Sequence, residues 1–351
     1  MYIDTHVHLR DFEERHKETI KHGLEVAYDS GVDAVFDMPN TKPLVITEEV
    51  ALSRIRAARE ARMSDVFYGL YMGVTNDPEQ LKRAVDAYRR IPQIVGLKMF
   101  TAHSVGDLSV IWSESQVTVY RILVKEGYDG VLALHCEDHK DFQPDIWDPK
   151  DPQSHCYTRP EITEITSVEN QIHLAHGLGF AGKLHIAHIS SPKAVDVVEV
   201  AKTEGVDVSC GICPHHFIYD WNQMNKENGI LWKMNPPLRS PESRSKLFQQ
   251  LKDGKIDWIE TDHAPHALHE KLDEPYMSGI PGLAWWPLFE KYLLMNDFTN
   301  TEIEKLTFTN AAKRFGLEGE IQRSRREIRD RRGDYPFDPY KRIAKELGWP
   351  N

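Results

Sequence analysis

The sequence predicts a single α/β domain folded as a (β/α)8 TIM-type barrel, and three observations carry that expectation. Short apolar, β-branched runs alternate with amphipathic helical stretches along the chain. Eight such strand-helix units fit within residues 2–262, close to the roughly 250 residues typical of this fold. Side chains able to bind metals or move protons recur at the ends of the runs, and this fold builds its site at the C-terminal ends of its strands. With 351 residues, 40% of them hydrophobic, the chain can bury the core such a barrel needs.

The first run, 2–6, leads into Asp4-Thr5-His6-Val7-His8. Side chains alternate between faces along a strand, so His6 and His8 point the same way as a chelating pair, and Asp4 is expected on their face. A helix over 18–30 follows, with Ile20, Leu24, Ala27 and Tyr28 on one stripe and Gly31 as its stop. The remaining runs are 33–38, 66–72, 94–100, 130–135, 183–188, 206–213 and 257–262. Lys98, His135, His188 and Asp262 lie at or near the ends of four of them. Ser191-Pro192 opens a helix with a capping hydroxyl and a proline at the first helical position.

The barrel is expected to occupy residues 1–316, with no evident β-sandwich, and residues 317–351 form a tail packed on it. The tail is rich in arginine (Arg323, Arg325, Arg326, Arg329, Arg331, Arg332) interleaved with Glu327 and Asp330, the pattern of a solvated, salt-bridged helix. Tyr335, Phe337, Tyr340 and Trp349 are expected to dock the tail on the barrel's outside.

Composition excludes several classes of function. A net charge of -11 and a pI near 5.9 argue against nucleic-acid and anionic-membrane surfaces, so a small anionic substrate must find local cations. Mean hydropathy is -0.51, and no run approaches the ~18 consecutive apolar residues of a membrane span. The first residues lack the basic-then-apolar layout of a secretion signal, and a cytoplasmic protein is expected. Four cysteines are too few for a disulfide framework, and Cys210-Gly-Ile-Cys213 lies in a strand-like run, so buried thiols are expected. A homo-oligomer is left open.

His6, His8, His135, His188, Lys98 and Asp262 together suit a metal site with room for two ions. Lysine is the odd member, since its ammonium repels cations. Its neutral amine, however, can react with carbon dioxide to give an anionic carbamate able to bridge two metals.

Five segments carry a family likeness: Asp4-Thr5-His6-Val7-His8-Leu9-Arg10-Asp11, Asp37-Met38-Pro39-Asn40-Thr41, Gly96-Leu97-Lys98-Met99-Phe100, His185-Ile186-Ala187-His188-Ile189-Ser190 and Thr261-Asp262-His263-Ala264-Pro265-His266. In order and in residue type they resemble dihydroorotases of the amidohydrolase superfamily, whose barrels are of the metal-dependent hydrolase kind. Pro214-His215-His216, Met234-Asn235-Pro236-Pro237-Leu238-Arg239 and Pro281-Gly282-Leu283 extend the likeness. It implies zinc-dependent interconversion of dihydroorotate and N-carbamoyl-L-aspartate in pyrimidine (UMP) biosynthesis.

The resemblance further implies two Zn2+ per chain. His6, His8 and Asp262 would hold one, His135 and His188 the other, with N6-carboxylysine at Lys98 between them. Arg10, Asn40 and His266, supported by Asn235, would hold the substrate's carboxylate and ring edge, and Asp262 would move the proton. The stretch Asp11-Phe12-Glu13 departs from the Pro-Gly common in the family at this place. An allantoinase- or hydantoinase-type cyclic amidohydrolase, whose substrates lack the carboxylate Arg10 would bind, is the nearest alternative. A non-catalytic dihydroorotase-like partner subunit is another.

Overall fold

A computed structural model of the chain describes residues 1–103, 108–322 and 326–349. Its eight strands lie in chain order in one parallel sheet: β1 (Tyr2–Val7), β2 (Val32–Asp37), β3 (Phe67–Gly73), β4 (Ile94–Phe100), β5 (Val131–His135), β6 (Lys183–Ile186), β7 (Val208–Ile212) and β8 (Trp258–Ile259). The sheet closes through a parallel bridge between Val7 and His263, with the His8 amide donating to the His263 carbonyl at 2.8 Å. This is the (β/α)8 barrel expected from the sequence. Apolar side chains of the strands, among them Ile3, Phe36, Tyr71, Val95 and Trp258, pack with Phe308 and Phe315 as one core, and a larger core fills the space between strands and helices.

Two strands stop two or more residues short of their expected ends. β6 ends at Ile186 and β8 at Ile259, because the backbone beyond each turns left-handed, at His188 (φ 41°) and Asp262 (φ 48°). The register between β1 and β2 shifts between Asp4 and Val7. Asp4 therefore does not share the face of His6 and His8: its carboxylate accepts from Trp286 Nε1 at 2.9 Å and from the Thr261 amide at 3.0 Å.

The first helix forms at Ile20–Asp29, with the Thr19 side chain accepting from the His22 amide and Gly31 in a left-handed conformation after it. The helix after Ser191 runs Pro192–Thr203, but the Ser191 hydroxyl donates to Glu161 Oε2 at 2.9 Å instead of capping it. Burial beside a carboxylate outcompetes the cap there. Among the described residues, no helix is long and apolar enough to cross a membrane.

In the tail, Arg323 and Arg325 lie outside the described residues. From Arg326 to Arg331 the chain has no helix, which corrects the helical expectation. Its arginines find barrel acceptors instead of helical neighbours: Arg326 donates to the Val32 carbonyl and Asp33, and Arg331 to Asp29. Tyr335 donates to Glu18 Oε1 at 3.0 Å, Tyr340 is fully buried against Phe289, and the Trp349 ring lies 5.5 Å from Lys291 Nζ.

Gly96 shows how tightly the barrel wall is packed. A Cβ at this position would stand 2.5 Å from the Val131 carbonyl oxygen of the next strand. Main chain cannot yield as a side chain can, so Gly96→Ala is expected to destabilise the protein by about 1–3 kcal/mol. Chemical denaturation checks this; wild-type stability in the variant would show that β4 and β5 can slide apart freely.

Candidate active site

The side chains that follow the strands meet at one mouth. His6, His8, Arg10, Asn40, Phe100, His135, His188, Asn235 and Asp262 line one cleft, with Ala264, Ser278 and Gly279 completing its wall. Eight of the ten expected site residues are thus on the wall. Lys98 and His266 lie behind it, each 3% exposed or less.

The nitrogen and oxygen atoms are spaced as ligands of shared ions. Asp262 Oδ1 lies 3.0 Å from His8 Nε2 and 3.3 Å from His6 Nε2, and the three residues form a group able to hold a metal ion. His135 Nδ1 and His188 Nε2 stand 3.2 Å apart. Two nitrogens bound at 2.0–2.1 Å to a tetrahedral ion would be about 3.3 Å apart, so these spacings leave room for a bound metal ion. Burial drives all four histidines toward the neutral form, His6 down to about 4, which leaves lone pairs for coordination. Lys98 Nζ has no hydrogen-bond partner, and burial lowers its ammonium to about 8 against the opposing pull of Glu260 and Asp262. Burial likewise raises the Asp262 carboxyl, while His6 and Lys98 oppose the rise.

Arg10 reaches the cleft by a route the strand pattern does not provide. β1 ends at Val7, and the chain then takes left-handed conformations at Arg10, Asp11 and Phe12 (φ 47°, 65° and 50°). The guanidinium is buried, donating from Nε to the Pro265 carbonyl at 3.3 Å and from Nη2 to His266 Nε2 at 3.1 Å, while Nη1 has no partner. His266 thus meets Arg10 rather than the cleft. Asn235 Oδ1 lies 3.0 Å from His155 Nε2, which fixes the amide at the cleft edge.

Two carboxylates that sequence reasoning missed support the histidines. Glu137 accepts from His135 Nε2 at 2.8 Å, so that Nδ1 is the nitrogen left facing His188, and Arg159 pairs with the same carboxylate. Glu260 accepts from the His188 amide at 2.6 Å and from the Thr5 hydroxyl at 2.6 Å, and lies 3.2 Å from His185 Nε2. Gly211 makes room for it, since a Cβ there would fall 2.7 Å from the Glu260 carboxyl carbon. A signal existed for both: each stands two residues from an expected ligand. Cys213, His215 and His216 form a second, fully buried group of ligand-type atoms beyond β7, with His216 Nε2 donating to the Pro236 carbonyl at 3.1 Å. All four cysteines are free and buried, as expected.

No family model matches the chain. It is 34% identical to a dihydroorotase of Listeria innocua over 314 residues, covering 85% of this chain and 68% of that protein. Identity to a dihydroorotase of Lactobacillus acidophilus is 30% over 322 residues, covering 90% and 73%. A dihydroorotase of Halobacterium salinarum is 32% identical over 325 residues, covering 90% and 71%. Among solved structures, an L-hydantoinase (dihydropyrimidinase) from Arthrobacter aurescens superposes with a TM-score of 0.80 at 22% identity, covering 94% of this chain and 74% of that one. A D-hydantoinase from Thermus sp. gives 0.75 at 22%, covering 90% and 70%. At these identities the structural likeness speaks for the fold alone.

The Glu137–Arg159 pair is sealed from solvent on the carboxylate side. Removing one member of such a pair strands the other in low dielectric, at a cost of about 3–5 kcal/mol. Glu137→Ala is therefore expected to lower the midpoint of urea unfolding sharply, whereas a variant as stable as wild type would show that Arg159 finds water or another acceptor.

Proposed function

The chain belongs to the dihydroorotase family of the amidohydrolase superfamily and is a hydrolase acting on cyclic amides, and from that premise we propose that it hydrolyses dihydroorotate reversibly to N-carbamoyl-L-aspartate. The observation that carries the proposal is Arg10: a buried guanidinium with an unpartnered Nη1 on the same cleft wall as His6, His8 and Asp262. A guanidinium fork pairs well with a carboxylate, and dihydroorotate has one where hydantoin, allantoin and dihydrouracil do not. The reaction belongs, on this reading, to pyrimidine biosynthesis in the cytoplasm, with residues 1–316 as the catalytic barrel and 317–351 as its docked tail.

His6, His8 and Asp262 would hold one zinc ion and His135 and His188 a second, with Lys98 carboxylated between them. The unpartnered, buried Lys98 amine, whose ammonium is lowered to about 8, suits carbamate formation, because only the neutral amine attacks carbon dioxide. When bound, such ions supply Lewis acidity and lower the pKa of a water molecule. The chain's own residues do the rest. Arg10 and Asn40 orient the ring through its carboxylate, Asn235 holds the ring edge, and His266 steadies the Arg10 guanidinium from behind. Asp262, whose carboxyl burial has raised, takes the proton of the attacking water and passes it to the departing ring nitrogen.

Two outcomes test this. Lys98→Ala is expected to lose activity and bound metal together, with partial rescue by short carboxylic acids; full activity and metal content in that variant would end the carbamate assignment. Wild type is expected to prefer dihydroorotate strongly over dihydrouracil, and Arg10→Met to remove most of that preference by raising KM for dihydroorotate. A wild type that prefers the uncharged ring would favour a hydantoinase-type activity instead.

A further inference from the structure

Arg10 is held in place from both sides by groups that never touch the cleft. Ahead of it, the Leu9 amide donates to Asp37 Oδ1 at 3.0 Å. Behind it, the Arg10 carbonyl accepts from Arg54 Nη1 at 2.8 Å. Arg54, on the helix Glu48–Glu60 and 1% exposed, also donates to Asp37 Oδ2 through Nε at 3.1 Å and Nη2 at 2.5 Å, and Tyr68 donates its hydroxyl to the same oxygen at 2.7 Å. One buried ion pair therefore holds the His8–Leu9 peptide unit ahead of Arg10 and the carbonyl of Arg10 itself.

That bracket sits where the backbone is most strained. Arg10, Asp11 and Phe12 are three consecutive L-residues in the left-handed region, a conformation that side chains disfavour and that persists only when its surroundings enforce it. Asp11 enforces part of it, accepting from the Phe12 amide at 2.7 Å and the Ile20 amide at 3.0 Å. Those bonds fix the far side of the turn. The carbonyl of Arg10 itself is held by Arg54, whose guanidinium also lies 5.6 Å from the Phe12 ring.

We propose that Arg54, anchored by Asp37, is a positioning residue that holds the left-handed turn at Arg10 and thereby aims its guanidinium at the substrate carboxylate. The inference rests on the assignment of Arg10 to that carboxylate. An arginine suits the task because its planar fork serves the Asp37 carboxylate and the Arg10 carbonyl at once, which a lysine's single ammonium does less well.

Arg54→Lys keeps the charge opposite Asp37 but loses the second arm of the fork. The expected result is a rise of about tenfold in KM for dihydroorotate, the scale of one misaligned charge-assisted bond. Turnover at saturation and bound metal should stay near wild type, as should inhibition by dihydrouracil, which has no carboxylate to place. Adding Phe12→Gly, which relieves the left-handed strain, should bring KM back toward wild type. Asp37→Asn keeps an oxygen for Leu9 while loosening Arg54, and should shift KM the same way by a smaller factor, providing a second reading if Arg54→Lys does not fold.

An unchanged KM in both variants, a parallel loss of metal, or no recovery on adding Phe12→Gly would overturn the positioning role. Arg10→Met separates this from the substrate assignment. If it leaves KM untouched, the carboxylate reading itself fails; if it raises KM while Arg54→Lys and Asp37→Asn do not, only the role of Arg54 falls.

Discussion

The structure depends on a conflict at the strand ends: the chain must leave the sheet sharply enough to aim side chains inward, yet the main-chain groups so released still need partners. At Arg10, His188 and Asp262 the backbone is left-handed, and beside each a buried charged side chain takes a main-chain bond that the sheet no longer supplies. Arg54 donates to the Arg10 carbonyl, Glu260 accepts from the His188 amide, and Asp4 accepts from the amide of Thr261, next to Asp262. Buried N–H and C=O groups are almost never left unpaired, and strained residues survive only where such bonds over-determine them.

This arrangement also explains the charge pattern around the cleft. Burying a carboxylate is costly unless it is satisfied, and here each supporting acid is. Glu137 has Arg159 and His135; Glu260 has Thr5, the His188 amide and His185; Asp4 has Thr261 and Trp286. Asp4 remains the exception in degree, its carboxyl raised to about 6 because burial outweighs its hydrogen bonds. Burial pushes the histidines on the wall toward the neutral ring in the same way.

Much of this was legible in the sequence, and what was not has a physical explanation. Eight strands announced themselves because each is a β-branched apolar run between turn signals, and their order follows from the alternation with helices. Convergence of His6, His8, His135, His188 and Asp262 could be foreseen because a barrel brings its strand ends to one mouth. The irregularity that turns Asp4 away from His6 could not, because register is set by the neighbouring strand rather than by the local pattern. Nor could the irregular course of the tail from Arg326 to Arg331: its arginines suit a solvated helix equally well, and the carbonyl of Val32 and the carboxylates of Asp29 and Asp33, distant in sequence, decide against it. The hydroxyl of Ser191 was diverted by Glu161 in the same way.

The closure of the barrel is its thinnest joint. β8 contributes two residues, and β1 meets the chain beyond it through the single bridge at Val7 and His263. His263 is in turn braced by Glu18, to which Tyr335 of the tail also bonds. His6 and His8 lie on one side of this seam and Asp262 on the other, so an ion shared by the three, as proposed, would act as a rivet as well as a reagent. The seam should then open in the slow breathing of the native state more readily than the other seven strand junctions, with its amide protection rising and falling with ion occupancy. Catalytic competence and the mechanical integrity of the barrel would be one equilibrium.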